Sequence, residues 1–271
     1  MADSAPSSLR ARRAPTERRA PPPWWLPTRA WGLWSELEEL RVRCNEYVYD
    51  AFGFDPRWTP GLTLPLALLY RHWLRVETRG IENVPDGRVL LIANHAGNTF
   101  AYDAAMLSMA LFLERDPPRI ARGMAEFVLP TLPFFNVLMQ RMGSVVGTPE
   151  NCIALLEHEE AVMVFPEGQR GFIKPYAEAY ELQPFGLGFL RMALETNTPI
   201  VPVGIVGSEE QSPGLARVES LASSIGAPAL PITLTFPLLG PLALVPLPVK
   251  FRIAIGEPLR FDGDPNDEDA S

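Results

Sequence analysis

Residues Arg88–Asp103 read RVLLIANHAGNTFAYD. Val89–Ala93 is an unbroken apolar run, short enough for a strand and hydrophobic on both faces, as strands of parallel sheets are. The run stops at Asn94 and His95, a small loop with Gly97 and Asn98 follows, and Asp103 opens an apolar stretch, Ala104–Leu113, of helical character. In open α/β sheets, ligands sit beyond the carboxyl ends of the strands. A histidine placed there, with a carboxylate a short loop away, reads as a base held in one tautomer by its acid. The same residues also read as a core histidine with Asp103 capping a helix, and one aspartate can do both.

Working outward, short apolar runs alternate with helical patterns from Gly80 onward, the signature of a largely parallel sheet flanked by helices. Candidate strands are Val89–Ala93, Arg119–Ala121, Ser144–Val146, Ala161–Phe165, Ile200–Val206 and Val249–Ile255. Candidate helices are Ala104–Glu114, Leu132–Arg141, Pro149–Glu160 and Phe185–Glu195. The third of these has good start chemistry, with Thr148 as cap and proline in the first turn. The fold class expected is α/β, a mostly parallel sheet with an N-terminal helical extension. An α/β domain is assigned to residues 80–260.

The net charge of −8 excludes a general nucleic-acid binder, which needs a basic excess. Residues 1–23 nevertheless carry a net +3 and are rich in Pro, Ala, Ser and Arg, the composition of a disordered basic tail. Trp24, Trp25, Trp31 and Trp34 follow, and Leu33, Trp34, Leu37, Leu40, Cys44, Tyr47 and Val48 form a helical stripe within an amphipathic segment spanning residues 24–79. Tryptophans behind an arginine-rich tail suit an interfacial helix, which would place the chain peripherally on a membrane surface. Such a stripe also packs on its own domain. Leu62–Leu69 is too short to span a bilayer, so it either faces a membrane or covers the sheet. No apolar segment of signal-peptide type follows the basic start.

Cys44 and Cys152 lie far apart without metal-ligand spacing and read as buried thiols of a reducing compartment. His158 sits among Glu157, Glu159 and Glu160, and HEE is not HExxH, so no metal site is assigned. Ser220–Val249 runs thirty residues without a charge. Its prolines, among them Pro228, Pro231, Pro237 and Pro241, exclude a spanning helix. The segment reads as an apolar lid over a lipid groove, a loop dipping into an interface, or a buried crossover. Residues 261–271 form an acidic tail.

Ala161–Arg170, AVMVFPEGQR, repeats the opening arrangement: a buried strand feeding a Pro-Gly turn that aims Glu167 and Arg170 beyond its end. A surface ion pair there would contribute at most about 1 kcal/mol. A parallel sheet, however, brings such strand ends side by side. A third loop at the same edge follows PIVPV (Pro199–Val203) and continues through Gly207 to Glu210.

NH…D, then FPEGxR, then PIVPV, in that order, resembles the glycerolipid and lysophospholipid acyltransferases over about Gly80–Pro258. The resemblance implies transfer of a fatty acyl group from acyl-CoA or acyl carrier protein to a lipid hydroxyl, at the cytoplasmic face of a membrane. It implies His95 as general base and Asp103 as its orienting acid. Asn94, Glu167, Gly168 and Arg170 fall on the acceptor side, and Pro202 shapes the acyl-donor side. Independently, a thioester carries its own leaving group, so the chemistry needs neither an enzyme nucleophile nor a cofactor, and no G-x-S-x-G, P-loop or GxGxxG is present.

Two departures bear on this. The family places four residues between histidine and aspartate, whereas residues 96–102 make seven. Either the loop bulges and keeps the pair, or Asp103 is only a cap. The family also carries an arginine after the glycine of its second motif, and GSVVGTPE (Gly143–Glu150) has none. That leaves room for a neutral acceptor such as mono- or diacylglycerol, or for an ester synthase using a non-glycerol alcohol, with Arg170, Lys174 and Arg141 as remaining cations. A catalytically silent lipid-binding protein and a hydrolase are the readings from other classes.

Overall fold

The computed structural model describes residues 50–56, 59–126, 135–218 and 229–264. The tail at 1–23, the four clustered tryptophans, the whole stripe from Leu33 to Val48, Cys44 included, and residues 265–271 lie outside them.

The strands, in chain order, are β1 (Glu77–Arg79), β2 (Val89–Ala93), β3 (Ala121–Ala125), β4 (Val145–Val146), β5 (Ala161–Val164), β6 (Ile200–Val206), β7 (Gly214–Val218), β8 (Leu230–Thr233) and β9 (Arg252–Ile255). Seven form one sheet in the order β1-β9-β6-β2-β5-β3-β4, and β7 pairs with β8 in a separate ribbon. From β6 to β4 every pairing is parallel. β9 runs antiparallel to β6 and parallel to β1. The helices are α1 (Thr59–Leu68), α2 (Tyr102–Leu113), α3 (Phe135–Arg141), α4 (Pro149–Glu157), the single turn α5 (Gln169–Phe172) and α6 (Gly188–Glu195). This is the mostly parallel α/β sheet that the alternation predicts.

The apolar run of β2 is explained by its position. Val89, Leu91 and Ala93 join a core shared with Met106, Leu107, Ala110 and Leu111 of α2 and with Ala67 and Tyr70. Leu90 and Ile92 point the other way, into a core with Cys152, Leu155 and Leu156 of α4 and Ala193 of α6. Both faces are covered, so every side chain of the strand is buried, each contributing about 1.5–3 kcal/mol for Val- to Leu-sized groups. Burial pushes the Cys152 thiol up to about 12, which makes it an inert core residue.

Several boundaries differ from expectation for local reasons. β3 starts at Ala121 rather than Arg119 because the Arg119 guanidinium ties loops together instead, donating to the carbonyls of Pro85 (2.5 Å), Gly87 (2.9 Å) and Glu159 (3.0 Å). α4 ends at Glu157, with His158 as its cap and the ring Nδ1 2.7 Å from the Ala154 carbonyl. Its start is as predicted, the Thr148 hydroxyl accepting from Asn151 N at 3.2 Å. α1 covers the sheet, burying Ala67, and the turn after it buries Tyr70. The segment to residue 79 also supplies β1, a three-residue edge strand of mostly exposed polar residues that carries no period-2 apolar signal. Within Ser220–Val249, Leu230–Thr233 is a strand and Gly240–Leu244 a 3₁₀ turn. Among the described residues, no helix is long and apolar enough to cross a membrane.

Candidate active site

Because β2, β5 and β6 are parallel neighbours, with Ile92 level with Val164 and Ala93 level with Val203, the loops leaving them share one rim. His95 lies just past the end of β2. Its Nδ1 is 2.7 Å from Asp103 Oδ2, so the seven-residue spacing preserves the pair. Asp103 is fully buried. Oδ2 also accepts from Ala96 N (2.9 Å), and Oδ1 accepts from Ala104 N (2.8 Å). The N-cap of α2 is Ala101, which has no side-chain cap bond, and Asp103 lies inside the first turn, so the aspartate is not the cap the sequence suggests and instead holds the imidazole and the loop before the helix.

The longer loop keeps its shape through backbone that tolerates positive φ. Gly97 has φ +141° and Asn98 φ +57°, conformations open to glycine and, at modest cost, to asparagine. Asn98 N donates to the Phe172 carbonyl (3.0 Å), and its side chain donates to the Ser212 carbonyl (2.9 Å). The insertion is thereby fastened to the turns after both β5 and β6.

Phe165 and Phe172 stack on the imidazole with ring centroids 4.4 and 4.9 Å away and planes inclined by about 30°. With Nδ1 held by Asp103 and 15% of the side chain accessible, the ring is restrained but not sealed. Phe165 was visible as the first residue of FPEG. Nothing in the sequence marked either ring as a neighbour of His95.

Glu167 does not project from the rim. It is buried, with Oε1 accepting from His95 N (2.8 Å) and Oε2 from Gln183 N (2.7 Å). Its carboxylate ties the histidine's backbone to the FPEG turn and to the segment at Gln183. Asn94 is likewise occupied. Its amide donates to the Ile205 carbonyl (2.8 Å) and accepts from Ile205 N (2.7 Å), extending the β2–β6 ladder by one side chain.

Gly168, at φ +56° and ψ −141°, caps α5, and its N–H closes a turn on the Phe165 carbonyl at 2.9 Å. Arg170 is exposed on α5. The other two cations are engaged: Lys174 is buried, 3.1 Å from Glu209 Oε1 and donating to the Glu181 carbonyl (2.8 Å), while Arg141 bonds the Gly53 carbonyl (3.2 Å). Pro202 stands apart from this cluster, in β6 level with Ile92, its carbonyl accepting from Gly256 N at 2.8 Å.

Gly171 was not singled out by sequence, although its place directly after FPEGQR was the available signal. A Cβ there would lie 2.7 Å from Glu167 Cβ and 2.8 Å from the His95 carbonyl oxygen. Gly171→Ala is therefore expected to destabilise the fold by about 1–3 kcal/mol through overpacking, read as a lowered thermal midpoint together with lost activity. Gly188→Ala, with nothing within 4 Å of the added carbon, should leave both unchanged.

Comparison with known proteins agrees with this geometry. A family model described as Acyltransferase matches residues 75–206. Over 224 residues the chain is 43% identical to an uncharacterized protein of Mycobacterium tuberculosis, covering 81% of this chain and 62% of that one. It is 26% identical over 198 residues to the chicken "DGAT1/2-independent enzyme synthesizing storage lipids", covering 71% of this chain and 54% of the relative. It is 31% identical over 140 residues to "Phytyl ester synthase 1, chloroplastic" of Arabidopsis thaliana, covering 49% of this chain and 19% of the relative. The chain thus spans less than two thirds of the length of these relatives.

Proposed function

Residues 75–206 belong to the acyltransferase family, and from that premise we propose that the protein moves a fatty acyl group from a thioester donor, acyl-CoA or acyl carrier protein, to a lipid hydroxyl at a membrane surface. The observation that carries this reading is the buried Asp103 carboxylate on His95 Nδ1. A carboxylate only accepts, so Nδ1 carries the ring proton and Nε2 presents its lone pair. Nε2 takes the proton of the acceptor hydroxyl as that oxygen attacks the thioester carbonyl. The tetrahedral intermediate collapses with cleavage of the C–S bond, and the imidazolium returns its proton to the departing thiolate. Ester and free thiol are the products, and neither metal nor cofactor enters.

Among acceptors we favour neutral lipid alcohols over phosphate-bearing ones. Gly143–Glu150 carries no cation, and Lys174 and Arg141 are held by their own partners, leaving Arg170 as the exposed positive group of the rim. The printed names of the chicken and Arabidopsis relatives, which speak of storage lipids and a phytyl ester, point the same way.

The test is an acceptor panel: purified protein, liposomes, long-chain acyl-CoA or acylated carrier protein and, in turn, lysophosphatidate, monoacylglycerol, diacylglycerol and a long-chain alcohol, following thiol and lipid product. Thiol release that depends on a neutral acceptor is the expected result. Release of free fatty acid without any acceptor identifies a hydrolase. Absence of turnover with every acceptor and with both donor types leaves a lipid-binding protein.

A further inference from the structure

Beyond the rim, the largest group of exposed apolar side chains lies between the β7–β8 ribbon and β9. Leu238 is 84% exposed and Leu242 69%, and Leu234, Leu239, Leu244 and Val245 are each at least half exposed. The 3₁₀ turn at Gly240–Leu244 explains the layout. Side chains three apart eclipse in such a turn, so Leu239, Leu242 and Val245 form one stripe while Ala243 points inward and is buried. No residue from Leu230 to Val249 is charged.

What surrounds the stripe indicates its occupant. Trp73, itself exposed, donates its indole N–H to the Pro246 carbonyl (2.8 Å), and Arg75 donates to the Pro248 carbonyl (3.1 Å). Arg71 and His72 are exposed on the same turn as Trp73. The nearby acid, Glu77, is matched by Lys250 and Arg252. An uncharged leucine prong rimmed by tryptophan and arginine fits an interface with an apolar interior and anionic headgroups. The prong is also joined to the site: Tyr102, next to Asp103 in the chain, donates its hydroxyl to the Leu244 carbonyl at 2.8 Å.

We propose that residues 234–245 insert into the surface of an anionic phospholipid bilayer, with Trp73, Arg71 and Arg75 against the headgroups. The surface is distinct from the tryptophan-rich N-terminal segment that the sequence suggests. It stands on exposure and charge, independently of the chemistry at His95.

Flotation of the full chain with vesicles of phosphatidylcholine and phosphatidylglycerol tests it. Leu238→Glu/Leu242→Glu should cut vesicle partitioning about tenfold or more, since burial of apolar side chains drives interfacial binding. Leu238→Ser should give a smaller loss, and both should keep the wild-type thermal midpoint because the side chains are exposed. Arg71→Ser/Arg75→Ser should weaken binding to the anionic vesicles and not to pure phosphatidylcholine. Unchanged flotation of the leucine variants overturns the proposal and moves attachment elsewhere. So does light scattering in which the wild type is a dimer that Leu238→Glu/Leu242→Glu dissociates while flotation persists, which assigns the surface to a second copy. An enzyme inactive on every acceptor that still loses flotation in the variant sinks the acyl-transfer reading and leaves this one standing.

Discussion

Replacing His95 with alanine is expected to lower acceptor-dependent thiol release by about 10²–10⁴-fold, the usual worth of a positioned general base. The loss should fall on kcat, because the imidazole's proposed work is done in the transition state and the ring makes up little of any acceptor's binding surface. Asp103→Asn is the sharper companion. The amide keeps nearly the shape of the carboxylate, and with its oxygen in the place of Oδ1 it still accepts from Ala104 N. If its NH₂ faces Nδ1 it donates there, which forces the ring proton to Nε2, where the attacking hydroxyl needs a lone pair. A loss of the same order, roughly 10²–10⁴-fold, is therefore expected, with a lowered thermal midpoint because the same NH₂ turns against Ala96 N–H, whose acceptor was Oδ2. An Asp103→Asn enzyme retaining a tenth or more of the wild-type rate would reduce Asp103 to a brace of its loop and shift the orienting role to the two phenylalanines that stack on the ring.

The extent to which this site could be read from the sequence follows from which signals are local. β2 has the predicted bounds because it lies between covered faces, where an apolar run has one reading, and β6 has them although Pro202, Gly204 and Val206 are exposed on one of its faces. The His95–Asp103 pair and its sharing of a rim with the FPEG turn follow from parallel neighbours, a property of topology that alternation of strands and helices already encodes. β7 and β8 carry no clear strand signal because they form a two-stranded ribbon outside the main sheet, where Pro231 is tolerated at an edge. The hydrogen-bond partners of Asn94 and Glu167 are not legible in the sequence for a different reason. Polar residues at a strand end suggest ligand contact. Whether they meet ligand or backbone depends on partners 16 to 111 residues away, Gln183 and Ile205, and no local pattern reports them.

Glu167→Ala carries the largest expected effect on stability. The buried carboxylate holds the backbone N–H groups of His95 and Gln183, hydrogen bonds to a charged acceptor that are stronger than neutral ones. Removing it leaves two half-buried donors without their acceptor, each costing about 1–2 kcal/mol, so a destabilisation of roughly 2–4 kcal/mol is expected, measured by denaturant unfolding. Glu167→Gln separates the two roles. Its single amide oxygen can serve one of the donors, and its NH₂ group is turned against the other, so stability should fall by about 1–3 kcal/mol while acceptor KM stays near wild type. Glu167→Asp is too short by a methylene to reach both donors and should behave likewise. If Glu167 instead touched the acceptor, Glu167→Gln would raise acceptor KM with little change in the unfolding midpoint. The ratio of those two responses decides whether the FPEG glutamate recognises substrate or, as its hydrogen bonds indicate, holds His95 in place.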